Sequence, residues 1–185
     1  ETLGVVGESG CGKSTLAPAV VRLLPKSAGT VVWAGRNLSD ADKNELRRLR
    51  KEFQIVFQDP LASLDPRMTI GESIAEPVRS LHAELPRALV NERVRAIMEK
   101  VGLDPAWINR YPHEFSGEQN QRVGIARAMI LKPKLIVCDE AVSALDVSIQ
   151  AQIIDLILSL QAEFGMSLIF ISHDLSVVRQ VSHRV

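Results

Sequence analysis

Residues 2–15 read TLGVVGESGCGKST, and this stretch decides the fold. TLGVVG is a short apolar run ending in glycine, the composition of a buried strand. GKSTLAPAVVRLL then carries helical spacing, with a stop expected around Pro25 to Gly29. Between them, Gly7 to Thr15 match the pattern G-x-x-x-x-G-K-[ST] in the strand–loop–helix setting that gives it meaning. Gly7, Gly10 and Gly12 let the backbone curl so that successive N–H groups face one point. The helix beginning after Gly12 adds the partial positive charge of its N-terminus. Lys13 supplies a full charge for β- and γ-phosphates, and the Ser14 hydroxyl is placed for Mg²⁺. The predicted nucleotide-binding set is therefore Gly7, Glu8, Ser9, Gly10, Cys11, Gly12, Lys13, Ser14 and Thr15.

Outward from this loop, apolar runs alternate with helical patterns. TVVWAG at 30–35 reads as a strand entering a turn at Gly35-Arg36-Asn37. ELRRLRKE is a charged helix whose basic residues form a solvated face, and FQIVFQ at 53–58 is another strand. From Asp59 to about Lys132 strand signals vanish, and helices are expected at 69–82, at 86–101 and from Ser116. KLIVCDE at 134–140, a helix at 147–164, SLIFIS at 167–172 and a last helix from Asp174 follow. Strands alternating with helices predict an α/β fold of the P-loop NTPase kind, a mainly parallel sheet flanked by helices. The ATP-binding core spans 1–58 and 133–185, and 59–132 is an inserted all-helical subdomain.

The 185 residues carry 22 Lys plus Arg against 22 Asp plus Glu. That balance offers no global basic field for nucleic acid. The cysteines number only 2, Cys11 and Cys138, too few for a disulfide framework. The richest apolar stretch, from Ile153, is interrupted by Asp155, Gln161 and Glu163, so a membrane span is not expected.

Chemistry concentrates at strand ends. LIVCDE delivers Asp139 and Glu140 to the C-terminal end of a buried strand, where α/β sheets place ligands. Asp139 can join a Mg²⁺ shell, and Glu140 can polarise a water for in-line attack on a γ-phosphate. His173 follows the next strand, at the same sheet edge. Gln58 ends the strand before the helical insertion, where a neutral amide can sense the metal. FSGEQNQR at 115–122 starts a helix: Ser116 and Gln119 have capping-box spacing, and Glu118 falls in the first turn, where the helix dipole favours an acid.

In order, GESGCGKST, the Gln58 loop, FSGEQ, LIVCDE, SALD at 143–146 and His173 resemble the nucleotide-binding domain of an ABC transporter, over essentially the whole chain. QDPLASLDPRMTIGESIAEP at 58–77, RYPHEFSG at 110–117 and DEAVSALDVSIQAQIIDL at 139–156 are similar to importers of oligopeptides, dipeptides, nickel and glutathione. The wording from Glu140 to Ile149 and the final SHRV look most like the glutathione-importing branch. The resemblance implies ATP and Mg²⁺ at a seam between two such domains, with Lys13, Glu140 and His173 catalytic and Ser14, Gln58 and Asp139 at the metal. Ser116, Gly117, Glu118 and Gln119 would act across the seam, and Asp146 would lie in the contact between domains. The partners implied are a second nucleotide-binding domain, a permease docked on 59–132 and, indirectly, a solute-binding protein. The place implied is the cytoplasmic face of the inner membrane, peripherally.

Two departures from the family pattern stand out. Glu118 replaces a glycine and Asn120 an arginine, both expected to disfavour an anion at that helix end. A like-charge pair ~5 to 6 Å apart at an effective dielectric of ~20 costs roughly 3 kcal/mol, which solvent and Mg²⁺ reduce to about 1 kcal/mol. This leaves a second class open, a regulatory nucleotide-binding partner of an active ATPase; a soluble relative acting on DNA or ribosomes fits the charge balance less well. The chain also opens inside a strand and reads as incomplete at both ends, so TVVWAG is expected to lack pairing partners, and the isolated chain to bind ATP weakly and aggregate. Glu118→Gly is expected to raise ATP-dependent dimerisation and turnover; analytical ultracentrifugation with a phosphate-release assay checks this, and no rise in either contradicts it.

Overall fold

In the computed structural model, which describes residues 1–8, 10–25 and 27–185, a parallel sheet of four strands is built from β1 (Thr2–Val6), β4 (Phe53–Val56), β5 (Leu135–Asp139) and β6 (Ser167–Ser172) in the order β1-β6-β5-β4. Every pairing in it is parallel: Val6 lies opposite Ser172, Asp139 opposite Ile171, and Val56 opposite Cys138. Parallel registration sends all C-terminal strand ends to one edge. The turns after Val6, Val56, Asp139 and Ser172 therefore share that edge.

Burial on both faces explains the continuous apolar runs. Along β5, Ile136 and Cys138 face one apolar cluster and Leu135 and Val137 the other, the alternation a strand imposes. On one side Val137 and Ile171 meet Ala17, Val21, Leu38 and Leu49, contributed by α1 (Lys13–Val20), the segment around Leu38 and α2 (Lys43–Leu49). On the other, Ile136, Leu168 and Phe170 join the apolar sides of α4 (Ile70–Leu81), α5 (Arg87–Lys100), α6 (Gly117–Met129), α7 (Val147–Phe164) and α8 (Leu175–Val181). The helical stretch from 59 to 132 thus shares a continuous core with the sheet.

Several local signals act as read. Thr69 and Glu72 close a capping box at α4, Ser116 and Gln119 close another at α6, and Gly165, at φ 66°, ends α7. Others differ. The first helix stops at Val20, several residues before Pro25: Pro18 sits inside it and Arg22 turns left-handed at φ 57°, which a helix cannot continue through. FQIVFQ leaves the sheet after Val56. A one-turn helix α3 (Pro60–Ser63), capped by the Asp59 carboxylate accepting from Ala62 N–H at 3.0 Å, and two 3₁₀ segments at Pro105–Asn109 and Pro112–Glu114 were not expected.

TVVWAG does find a partner. β2 (Val32–Trp33) pairs antiparallel with β3 (Arg36–Asn37), through a turn in which Ala34 and Gly35 have φ of 48° and 80°, as a tight primed hairpin turn requires. Trp33 anchors it, edge-on to Phe53 at 5.8 Å between ring centres, its indole N–H donating to Glu52 at 3.0 Å. Among the described residues no helix is long and apolar enough to cross a membrane.

Candidate nucleotide site

The loop after β1 is shaped by its glycines where shape is demanding. Gly10 and Gly12 have φ of 82° and 100°, left-handed values that cost an L side chain strain. Gly7 is a matter of space: a Cβ there would lie 2.6 Å from Cys11 Sγ. Gly12 precedes α1, whose first residue is Lys13. Ser14 and Thr15 are exposed in its first turn, and Thr15 N–H donates to Gly12 O at 3.0 Å. Ser9 lies outside the described residues.

Lys13 is only 6% exposed. Its ammonium donates to Gly7 O at 2.7 Å and Glu8 O at 2.8 Å, and Glu140 Oε1 stands 3.7 Å away. The other oxygen, Glu140 Oε2, lies 3.2 Å from His173 Nδ1. The structure thus joins the phosphate-loop lysine, the carboxylate after β5 and the histidine after β6 in one chain of contacts. Strand order explains it: β6, between β1 and β5, brings three loops distant in sequence to one edge.

Asp139 is buried, and its Oδ1 has no hydrogen-bond partner among the described residues. Burial first, and the neighbouring Glu140 charge second, push this carboxyl above the usual range, with Lys13 pulling the other way. A desolvated, unpaired carboxylate oxygen at a strand end suits a hard divalent cation, so the residues present fit Mg²⁺. The Ser14 hydroxyl is exposed in the first turn of α1, and the Gln58 amide is exposed after β4 at the same edge; both are oxygen donors of the kind such a cation takes. Among the described residues nothing hydrogen-bonds the Gln58 side chain. The thiols differ in reach: Cys11 is exposed, whereas burial and the Asp139 charge push Cys138 up to about 12.

Ser116, Gly117, Glu118 and Gln119 are not brought to this group within the chain. They form the start of α6, where Gln119 N–H donates to Ser116 Oγ at 3.2 Å and Ser116 N–H to Gln119 Oε1 at 2.9 Å. Asp146 is exposed ahead of α7 and caps nothing with its side chain.

Glu118 is not the bare charge expected from sequence. Arg122 donates to Glu118 Oε1 from Nε at 2.9 Å, its Nη2 lies 2.8 Å from the same oxygen, and its Nη1 donates to Val101 O at 2.7 Å. Repulsion of an anion is thereby reduced toward that of an ion pair. The spacing of four residues was legible as a helical pair. Nor does residue 120 present a charge to solvent: Asn120 is fully buried, its amide donating to Pro112 O, Phe115 O and Ser116 O at 3.1–3.2 Å, and it braces the turn before α6. Of the remaining histidines, His183 Nδ1 accepts from Thr2 N–H at 3.0 Å, His113 stacks on Tyr111 and His82 lies beside Glu84.

A separate cleft of about 730 Å³ lies between α2 and β4 on one side and α4 and α6 on the other. Arg47, Arg50, Arg127 and Glu76 line it with Phe57 and Pro77, and no residue of the phosphate loop does.

Strand, glycine loop, helix, buried lysine and twin carboxylates define a P-loop nucleotide-binding domain. The family described as ABC transporter matches residues 1–143, and the chain belongs to it. It is 63% identical over all 185 residues to the oligopeptide transport ATP-binding protein OppF of Salmonella typhimurium, spanning 55% of that protein. It is 54% identical over the same length to the glutathione import ATP-binding protein GsiA of Escherichia coli, spanning 30% of that one. A dimer of the ATP-binding cassette MJ0796 in a post-hydrolysis state, bound to ADP and Pi, superimposes with a TM-score of 0.85 at 29% identity, covering 97% of this chain and 77% of that one. The chain therefore spans about half the length of the oligopeptide relative.

The raised carboxyl of Asp139 has a consequence for stability. The folded state holds this proton to higher pH than the unfolded chain, so stability falls as pH rises between the two values. Asp139→Asn should raise the melting temperature of the nucleotide-free protein at neutral pH by about 2–4 °C, what ~1 kcal/mol gives in a chain of this size. The gain should vanish at acidic pH, and the extra stabilisation by Mg²⁺ with ATP should disappear; scanning calorimetry across pH checks all three.

Proposed function

We propose that this chain is the ATP-binding and ATP-hydrolysing part of an ABC importer of peptides or related small solutes. The observation that carries the reading is the contact of Glu140 with both Lys13 and His173 beside the orphaned oxygen of Asp139. Identity supports peptides ahead of glutathione as the solute class, since the oligopeptide relative exceeds the glutathione relative over the same residues. The chain's length relative to both makes the importer's substrates and partners part of this proposal.

Chemically, the loop amides and Lys13 hold the β- and γ-phosphates of ATP. Ser14, Gln58 and Asp139 would hold Mg²⁺, which would neutralise charge on the phosphate oxygens. Glu140 accepts a proton from the attacking water, and His173 fixes the carboxylate that does so. Lys13 stands 3.7 Å from Glu140 Oε1, so the cation that receives phosphate also steadies the proton acceptor.

A second copy, or a similar domain, would present Ser116, Gly117 and Gln119 to the same phosphate, with Asp146 at the contact; the dimeric ATP-binding cassette in its ADP and Pi state supports this. Residues 59–132 form the docking subdomain set against the ATP-binding core of 1–58 and 133–185. The cleft bounded by Arg47, Arg50 and Arg127 offers a permease segment a basic rim over an apolar floor. The protein would then sit peripherally on the cytoplasmic face of the inner membrane, with a solute-binding protein acting through the permease. The regulatory reading retains one support, the carboxylate at Glu118.

Glu140→Gln tests the first reading. In the intact protein, ATP affinity should stay within about threefold while turnover falls ~100-fold or more, the scale of a lost general base. Unchanged turnover in a phosphate-release assay overturns it, and a wild-type protein that binds ATP without single-turnover cleavage favours the regulatory role.

A further inference from the structure

Glu140 adopts a backbone conformation that glutamate rarely takes. Its φ is 50°, in the left-handed region that non-glycine residues occupy when their surroundings hold them there. Three hydrogen bonds do the holding. Glu140 N–H donates to Ile171 O at 3.0 Å, and its own carbonyl accepts Ser143 N–H at 3.1 Å and Ser143 Oγ at 3.0 Å.

The conformation matters because of what precedes it. Asp139 ends β5 in register with Ile171, and consecutive residues of a strand point to opposite faces. Were Glu140 to continue the strand, its carboxylate would leave the face that Asp139 occupies. The left-handed turn instead keeps both acids within the influence of Lys13, whose charge acts on Asp139 and whose ammonium is 3.7 Å from Glu140. It also leaves Glu140 Oε2 beside His173 at 3.2 Å. Any residue but proline at 143 can supply the backbone N–H, but the second bond needs a side-chain donor such as a hydroxyl.

We propose that Ser143 is a positioning residue whose hydroxyl clamps the Glu140 carbonyl, holding that residue left-handed so that its carboxylate stands between Lys13 and His173. This rests on the reading of Glu140 as the base for ATP hydrolysis. Ser143 itself touches neither nucleotide nor water in the mechanism. It acts through the backbone of the residue that does.

The test compares Ser143→Ala, Ser143→Thr, Glu140→Gln and the Ser143→Ala/Glu140→Gln double variant in the intact protein, by steady-state ATP hydrolysis and thermal melting. Ser143→Ala should lower kcat roughly tenfold, the scale of a modest misplacement of a reacting group, with KM for ATP within about twofold and the melting temperature nearly unchanged. Ser143→Thr, which keeps a hydroxyl, should recover kcat to within about threefold of wild type. The double variant should be no slower than Glu140→Gln alone, as for residues that act as one unit. Should Ser143→Ala fail to melt cooperatively, Ser143→Cys, similar in size but a weak donor, carries the same expectation. Unchanged kcat in Ser143→Ala, no recovery by threonine, or an additive double variant overturns the proposal. If Glu140→Gln itself turns over normally, the reading of Glu140 as base fails, and any loss in Ser143→Ala then has another origin and overturns the clamp as well.

Discussion

An ammonium group almost sealed from water organises this molecule. Burying a cation without partners is prohibitive, and Lys13 meets the cost with the carbonyls of Gly7 and Glu8 and the carboxylate of Glu140. Each partner imposes a structural demand. The two carbonyls require the loop to curl back over the lysine, which the left-handed glycines permit. The carboxylate requires β5 to lie near β1, which the interposed β6 arranges. The same contacts fix the ammonium at the strand edge, beside the loop whose amides face one point.

Charge is managed similarly elsewhere at the site. Asp139 and Glu140 are adjacent acids, with Lys13 offsetting them and His173 beside Glu140; the cost appears as the raised carboxyl of Asp139, which a divalent cation would relieve. At the start of α6, Glu118 shares its charge with Arg122, which also ties that helix to the end of α5 through Val101 O. The capping box of Ser116 and Gln119 is complete beside it. An acid in this turn is therefore compatible with an ordered helix start and with partial screening of its charge.

What the sequence made legible was local. The bounds of α7 at 147–164 and β6 at 167–172, the capping box at Ser116 and the phosphate loop each depend on residues within a few positions of one another, where propensity and spacing act directly. The chemistry at Asp139, Glu140 and His173 was legible because residues at strand ends share an edge in a parallel sheet. Strand order was not, since pairing of β1 with β6 joins residues 166 positions apart, Thr2 with Leu168, and no short window carries it. The left-handed turn of Glu140 was hidden because glutamate does not favour it; local hydrogen bonds from Ser143 and a long-range one to Ile171 impose it. The hairpin at Ala34-Gly35 and the early end of α1 were missed for a related reason, backbone signs at Ala34 and Arg22 that composition does not reveal. Asn120 looked like a lost surface charge and proved to be a buried brace, because helical spacing alone did not say which side of α6 faces the turn at Pro112.

The Lys13 ammonium, placed by Gly7, Glu8 and Glu140, is thus the group offered to phosphate. A crystal structure of the intact protein with Mg²⁺ and a non-hydrolysable ATP analogue tests it most directly. The lysine ammonium should lie on a β- or γ-phosphate oxygen, its contact with Glu140 broken, and the oxygen of Asp139 that lacks a partner should be engaged at the metal, directly or through water. Nucleotide bound with Lys13 still on the loop carbonyls and Glu140 would contradict it.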